Sequence, residues 1–401
     1  MKRVLFSSIL IFTFILAGTT VAILYARGYR FLPQNGRTRI EGTGLLVLTS
    51  KPDGARVIIN DHLSTATNNT INLAPGEYDV RIEKDGYIPW DKKITVKKEV
   101  VSEAIALLFP IAPKLEAITT TGAGNPVLDS SGTLIAYTVS SSSASKNGIY
   151  LLDMSARSII SFGGQTSQLV SNAADRLSEA TLSFSPDGKE IIASIDTRLG
   201  TTSYLLATKG FNDSPKDVTN TISQVQRDWE SLSSEKNKKI LDSFQRDLRP
   251  IVTDYFKDFK ISPEGDKVLY VASQSASLVV IRKPRIIGGN TTTEQRTIKK
   301  GNTYVYDIKE DRNFLLFDRT GMKNNEASPN FMWHPDSRHL IFATNGKINI
   351  LEYDGQNQTT VYAGPFLDSY VFPWTDGLSL VILAKLNNPN VPYNLYRIGL
   401  E

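Results

Sequence analysis

The feature that most constrains the fold is a turn-and-strand unit that recurs five times. It is clearest in FSPDGKEIIAS at 184–194. Pro fixes φ, Asp can bond the backbone two residues on, and Gly accepts a positive φ, so the chain reverses before an apolar strand. Further strands follow each turn, and repetition of this unit is typical of a β-propeller. The other copies are LDSSGTLIAYT (128–138), ISPEGDKVLYVAS (261–273), WHPDSRHLIFAT (333–344) and PWTDGLSLVILA (373–384).

These motifs resemble the TolB-like, WD-like propellers, in which a repeat reads aromatic-Ser-Pro-Asp-Gly-Lys and later Ile-Tyr-x-x-Asp. The resemblance covers residues 111–401 and implies a propeller of about five blades. Uneven spacing of the turns leaves a sixth blade open. The strand KLEAITTTG (114–122) is expected to pair with NLYRIGL (394–400), which would close the ring and remove an exposed sheet edge.

A helical segment interrupts the repeats at 215–249. Its apolar residues recur at helical spacing, and prolines open and end the segment, so an amphipathic helix or helical hairpin is predicted. Either its apolar face packs on the propeller rim, or it docks a partner. Under the second interpretation the binding residues are Trp229 and Phe244.

A second insertion, at 274–301, is basic. Arg282, Lys283 and Arg285 lie within it and are candidate binding residues for an anionic polymer or for lipid headgroups. The alternative is a solvated loop with no binding role. Nucleic acid is not an expected partner, because the net charge of +4 comes from 45 basic and 41 acidic residues without one concentrated basic face.

A smaller β domain precedes the repeats, at 43–110. The segments SKPDGARV, LAPGEYDV and DGYIPW follow one another between alternating apolar and polar residues, which predicts a compact β-sandwich. These three motifs resemble the PEGA domain family, with Asp53 where the name-giving motif has Glu. The resemblance implies an extracytoplasmic module with no assigned catalysis. A polar linker is predicted before it, at 31–42.

The N-terminal segment, 1–30, is predicted to anchor the chain in a membrane. Residues 4–24 carry no charge, and a helix of 21 residues would span roughly 31 Å. A cleaved signal peptide is the alternative. Lys2 and Arg3 favour a cytoplasmic N-terminus, whereas Arg27 and Arg30 oppose it, so the orientation stays open.

Motifs for catalysis or for a cofactor are missing from the sequence. The chain has no cysteine, no G-x-S-x-G, no H-E-x-x-H, and no P-loop or dinucleotide fingerprint. Structural or solvated roles are expected for its three histidines, His62, His334 and His339. We therefore expect a protein that is not an enzyme, with no metal and no small-molecule cofactor.

Together the patterns predict an all-β protein with an N-terminal transmembrane helix, a PEGA-type β-sandwich and a C-terminal β-propeller. The predicted function is a non-catalytic binding or scaffold protein, held in the cell membrane by a single span and exposed outside the cytoplasm. Its partner would be another envelope protein or a cell-wall polymer. One alternative is a TolB-like envelope sensor or assembly factor that docks a membrane complex through 215–249. A lesser alternative is a polysaccharide hydrolase or lyase.

Overall fold

The computed structural model describes two compact units. One comprises Met1–Phe109 with Arg282–Glu294, and the other comprises Pro110–Ile281 with Gln295–Glu401. The segment between Ile281 and Gln295 therefore belongs to the first unit by its contacts, although it interrupts the second in sequence. The residues described are 2–26, 29–34, 37–141, 143, 146–155, 166–172, 176–198, 200–319, 328–386 and 392–401.

The chain begins with a helix, α1, at Lys2–Ala26. The anchor was predicted from the length of an uncharged run, and a helix does form there. Crossing a bilayer also requires about 20 predominantly apolar residues within that helix. Within the described parts of the chain, no helix combines the length and apolar character needed to cross a membrane. The predicted anchor through residues 4–24, and with it the single-pass membrane localisation, is therefore corrected.

A hairpin follows the helix where a linker was predicted. Its strands are β1 at Tyr29–Gln34 and β2 at Arg37–Gly42, and they pair antiparallel from Tyr29 opposite Gly42 to Gln34 opposite Arg37. Alternation of apolar and polar residues is weak here, so composition alone indicated an irregular segment.

Two sheets form the β-sandwich of the first unit, in the orders β6-β3-β9 and β5-β4-β7-β8. Its core lies between them and includes Leu46, Leu48, Ile82 and Trp90, all at most 4% exposed. Strands β3 and β9 run parallel, whereas the other pairs are antiparallel. The strands are β3 Gly44–Lys51, β4 Arg56–Ile59, β5 His62–Ala66, β6 Asn69–Leu73, β7 Gly76–Glu83, β8 Trp90–Val96 and β9 Val101–Leu107.

In its described residues the second unit contains five four-stranded antiparallel sheets, in the orders β11-β12-β13-β14, β15-β16-β17-β18, β19-β20-β23-β24, β25-β26-β27-β28 and β10-β31-β30-β29. We number these sheets one to five. Apolar side chains pack sheet one against sheet two, sheet three against sheet four, and sheet five against sheet one.

The strands of sheets one and two, with the first strand of the unit, are β10 Leu115–Ala117, β11 Gly124–Leu128, β12 Leu134–Val139, β13 Gly148–Asp153, β14 Thr166–Ser171, β15 Thr181–Phe184, β16 Glu190–Thr197, β17 Gly200–Ala207 and β18 Lys216–Asp217. The remaining strands are β19 Phe256–Ile261, β20 Lys267–Ala272, β21 Ala276–Ser277, β22 Thr297–Ile298, β23 Thr303–Asp307, β24 Arg312–Phe317, β25 Met332–Trp333, β26 His339–Thr344, β27 Lys347–Glu352, β28 Thr359–Ala363, β29 Val371–Pro373, β30 Ser379–Ala384 and β31 Asn394–Gly399. The sequence also predicts a third strand for the first repeat, RSIISF at 157–162, and these residues lie outside the described ones.

The turn that opens each sheet has one conformation. The fourth residue of the turn has φ between 59° and 76° in all five sheets and is Gly in four of them. In sheet four the position is Ser337, which is fully buried, and its Oγ accepts a hydrogen bond from the Glu264 backbone N–H at 2.9 Å. That bond to the turn of sheet three helps to offset the backbone strain of a non-glycine residue at positive φ.

Two helices occupy the predicted helical insertion. They are α2 at Ile222–Ser243 and α3 at Arg249–Tyr255. Trp229 of α2 donates from Nε1 to Glu190 at the start of β16, at 3.4 Å. Phe244, which follows α2, is buried in the apolar cluster of sheet three. The insertion thus contacts both the sheet that precedes it and the sheet that follows it.

The predicted fold class therefore needs correction. The chain is all-β with few helices, and a closed propeller is not among the features shown by the described residues. Local repeats predict single sheets well, but closure depends on contacts between sheets. At the junction of sheets two and three, the helical insertion supplies contacts that no repeat encodes.

The predicted pairing of the first and last strands of the second unit is confirmed. Leu115, Glu116 and Ala117 in β10 lie opposite Ile398, Arg397 and Tyr396 in β31. Asn394 extends this junction, since its Oδ1 accepts hydrogen bonds from Thr119 Oγ1 and the Gly122 N–H, both at 3.0 Å.

This register predicts an efficient disulfide between Ala117→Cys and Tyr396→Cys. Directly opposite Cα atoms in antiparallel strands lie about 4.5–5.5 Å apart, within the range that a disulfide bridges. The natural chain has no cysteine to interfere. The bond would be detected by mass spectrometry of tryptic peptides after mild oxidation. Ala117→Cys with Ile382→Cys is the control, because Ile382 lies opposite Tyr396 on the far side of β31. Equal crosslinking of both pairs would contradict the register.

Candidate functional site

Hydrogen bonds join neighbouring turns of the second unit. Ser130 Oγ donates to the Pro186 carbonyl at 2.7 Å, which links sheets one and two. Thr375 Oγ1 donates to the Met154 carbonyl at 2.5 Å, which links sheets five and one. The turn of sheet four lies between those of sheets three and five and carries the site considered next.

In most of these turns a short side chain at the first position binds the backbone of the sixth. Ser185 and Ser262 each accept from the N–H five residues later at 3.0 Å through Oγ. Asp129 does the same through Oδ1 at 2.8 Å. In the turn of sheet four, histidines stand at the first and sixth positions, and Asp336 lies between them.

His334, Asp336 and His339 form one compact cluster. His334 Nδ1 lies 3.0 Å from Asp336 Oδ1, and His339 Nδ1 lies 2.6 Å from Asp336 Oδ2. One ligand atom from each residue falls within 4.8 Å of the others. Both histidines are buried, at 4% and 5% exposure, whereas the Asp336 side chain is 30% exposed. The cluster therefore opens to solvent on the side of the carboxylate.

The Asp336 carboxylate is bonded to backbone as well as to the two rings. Asp336 Oδ1 accepts from the N–H groups of Arg338 and His339 at 2.8 and 3.0 Å. Burial alone would raise the pKa of Asp336, but hydrogen bonds from His334 and His339 hold that pKa well below its usual range. The carboxylate is thus ionised at neutral pH and faces both imidazole rings.

His334 also links two sheets. Its Nε2 lies 2.8 Å from the carbonyl oxygen of Gly377 in the turn of sheet five. A carbonyl oxygen only accepts, so Nε2 carries a proton in this contact. The other ring nitrogen, Nδ1, faces Asp336: the backbone N–H of Asp336 lies 3.3 Å from it, and the carboxylate oxygen Oδ1 lies 3.0 Å from it.

The basic residues predicted from sequence lie in the first unit. Arg282, Lys283 and Arg285 are exposed, and Arg285 forms an ion pair with Glu294. Thr291 in the same segment donates from Oγ1 to the Lys93 carbonyl at 3.4 Å. The three basic residues therefore share a segment that packs on the β-sandwich of the first unit, whereas Trp229 and Phe244 belong to the second unit.

Of the two aromatic residues predicted to bind a partner, only one is at the surface. Trp229 is half-buried on α2. Phe244 is 5% exposed and contacts Phe259 edge-on, with ring centroids 6.4 Å apart. Phe244 is thus part of the core of sheet three and is not presented to a partner.

Asp311 has a structural role that no pattern in the sequence indicates. This residue is 2% exposed, and its carboxylate pairs with Arg296 at 2.8 Å. It also accepts from the Ile281 N–H at 2.7 Å and from Tyr306 Oη at 2.5 Å. The chain leaves the second unit after Ile281 and re-enters it just before Arg296. The Asp311 carboxylate binds both residues and therefore fixes both points of the chain. The left-handed φ of 54° at Asp311 is a sign of this special role, but it is visible in the structure and not in the sequence.

Comparison with known proteins identifies the smaller β domain. Residues 43–108 match the PEGA domain family. The prediction made from the three motifs is therefore confirmed over that span. No sequence match is found among curated proteins.

Several solved structures are similar to the chain at low sequence identity. A protein assigned as TolB from Agrobacterium tumefaciens is 14% identical, over 69% of this chain and 72% of that one, with a TM-score of 0.21. TolB from Acinetobacter baumannii is 14% identical, over 81% of this chain and 60% of that one, with a TM-score of 0.23. The tricorn protease is 10% identical, over 79% of this chain and 24% of that one, with a TM-score of 0.21. The comparisons give no support for WD-like repeats.

Proposed function

We propose that this chain is a non-catalytic binding protein associated with the cell envelope, in which the five-sheet unit is the interaction platform. The PEGA match at residues 43–108 supports the envelope association, because that family is expected outside the cytoplasm. The platform role is consistent with the second unit, where hydrogen bonds join sheet one to two, three to four, four to five, and five to one. We expect the partner to be an envelope protein, with a wall polymer as the alternative that the experiment below distinguishes.

The observation that carries the binding role is the incomplete burial of α2. A surface helix normally buries its apolar stripe against the protein beneath it. Along Ile222–Ser243, all of it described, no residue is buried. Val225 and Trp229 are half-buried, and Leu232 is 42% exposed. The apolar stripe of α2 is therefore only partly covered by its own chain.

The helix is nevertheless fixed in position. Lys236 Nζ donates to Ser130 Oγ at 3.1 Å and reaches the Pro186 carbonyl at 3.5 Å, so it contacts the turns of sheets one and two. A rigid helix with an uncovered apolar stripe suits partner docking, because little ordering is needed on binding. This favours the second candidate function, a TolB-like sensor or assembly factor that docks its partner through α2.

Leu232→Glu should therefore weaken partner capture about tenfold or more without unfolding the chain. A charge in the centre of a desolvated interface is costly, whereas Leu232 is exposed in the free protein. The measurement is quantitative crosslinking of the full-length chain to envelope proteins, together with co-sedimentation with purified cell-wall glycan. Leu63→Glu, on the PEGA domain at 69% exposure, is the control.

The two candidate modes give different results in this experiment. Loss of a specific protein crosslink in Leu232→Glu alone supports docking through α2. Glycan co-sedimentation that survives both substitutions supports a wall-polymer platform elsewhere on the chain. If the wild-type chain captures neither, the binding proposal fails.

A further inference from the structure

The cluster of His334, Asp336 and His339 contains more polar side chains than are needed to close its turn. The equivalent turns in sheets one, two and three are closed by one carboxylate or one hydroxyl at the first position. In sheet four the N–H of the sixth residue is bound by Asp336 Oδ1 instead. Neither imidazole is therefore needed to close the turn.

The two rings present the same kind of atom to the carboxylate. Nδ1 of His334 and Nδ1 of His339 lie 3.0 and 2.6 Å from the two oxygens of Asp336. The Gly377 carbonyl orients the His334 ring through its Nε2 at 2.8 Å. A backbone carbonyl bound to the remote nitrogen is the arrangement that orients histidine ligands in metal sites and fixes their tautomer.

We propose that His334 Nδ1, the Asp336 carboxylate and His339 Nδ1 form a binding site for a divalent transition-metal ion, of which Zn²⁺ fits best. Two imidazole nitrogens and one carboxylate are ligands that Zn²⁺ accepts, at bond lengths of about 2.0–2.2 Å. Such bonds separate tetrahedral ligand atoms by roughly 3.3–3.5 Å. The three ligand atoms already lie within 4.8 Å of one another, so small side-chain rotations suffice.

The burial pattern supports a partly open site. Both histidines are nearly inaccessible, and the accessible edge is that of Asp336. Three protein ligands leave one tetrahedral position, which water would fill from that edge. When the ion binds, it replaces the proton that His339 Nδ1 shares with Asp336, as metal binding to imidazole generally requires.

The ion would strengthen the junction between sheets four and five. It would fix the His334 ring, and that ring contacts Gly377 closely enough that a Cβ added at Gly377 would lie 2.8 Å from His334 Cε1. We therefore expect the bound ion to raise the thermal stability of the second unit, since a ligand that binds only the folded state stabilises it.

The test is a titration of the chelator-treated full-length chain with Zn²⁺ against a chromophoric competitor. We expect one ion per chain, a higher melting temperature, and visible d–d bands with Co²⁺. Two conservative variants separate metal binding from hydrogen bonding. In His339→Asn, Nδ2 can still donate to Asp336 from the position of Nδ1. In His334→Gln, Nε2 can still donate to the Gly377 carbonyl.

Each variant should keep its fold and weaken Zn²⁺ binding at least tenfold. His62→Gln is the control, because His62 is exposed on the PEGA domain and should have no effect. Failure of the wild-type chain to bind one equivalent of Zn²⁺ would overturn the proposal. So would unchanged affinity in either variant, or loss of binding in His62→Gln.

Discussion

Asp311→Ala is expected to destabilise the second unit by roughly 3–5 kcal/mol, the cost of removing one partner from a buried ion pair. The Arg296 side chain is 12% exposed and the Asp311 side chain 3%, so the remaining guanidinium would stay largely away from water. Alanine also leaves the Ile281 N–H and the Tyr306 hydroxyl without the acceptor they use now. A left-handed backbone at φ 54° adds a further cost for alanine.

Asp311→Asn separates these contributions. Asparagine tolerates the left-handed backbone and keeps one acceptor oxygen, so it loses the charge and one of the two acceptor positions of the carboxylate. Burial raises the pKa of Tyr306, and its bond to Asp311 raises it further, so in the wild-type chain the tyrosine is a neutral donor to Asp311. We expect Asp311→Asn to lose about half as much stability as Asp311→Ala.

The measurement is urea unfolding of the full-length chain, with hydrogen exchange of peptides covering β20, β23 and β24 to localise the effect. Asp91→Ala is the control, because Asp91 pairs with Arg81 at the surface, where both side chains are more than half exposed. An exposed pair contributes about 0–1 kcal/mol. If Asp311→Ala lowered the free energy of unfolding no more than Asp91→Ala does, the proposed role of Asp311 in holding Ile281 and Arg296 would be wrong.

The strands and turns were predictable because their determinants are local. The turn of FSPDGKEIIAS forms at Pro186–Gly188 with Gly188 at φ 71°, as the residue types require. The PEGA motifs specify a whole domain for the same reason. The helical insertion was also predicted, because a period of 3.6 residues is a property of neighbouring positions.

What could not be predicted depends on partners distant in the chain. Asp311 binds Ile281, which lies 30 residues away, and no periodicity links them. Structural or solvated roles were predicted for His334 and His339. Nothing in the sequence places the Gly377 carbonyl beside His334, 43 residues earlier. Helical spacing placed Phe244 on the apolar face of the insertion and made it a candidate for partner binding, yet it lies beyond the end of α2 and is buried in the core of sheet three.

Gly148→Ala is expected to have the second large effect, because a backbone atom occupies the space that a side chain would need. Gly148 starts β13, between Val139 on one side and Ser171 on the other. A Cβ added there would lie 2.0 Å from the Val170 carbonyl oxygen, and φ is 148°. Rotation of a side chain cannot relieve a contact with backbone, so β13 and β14 would have to separate.

Gly200→Ala supplies the matched control. Gly200 also has a positive φ, at 129°, but among the described residues no atom lies within 4 Å of its added Cβ. Its substitution tests backbone strain alone, about 1–3 kcal/mol. Gly148→Ala adds overpacking of about 1–3 kcal/mol, so we expect it to cost roughly 2 kcal/mol more in urea unfolding. If the two variants lost the same free energy of unfolding, β14 would move aside at no cost. The close approach of β13 and β14 would then not require glycine at position 148.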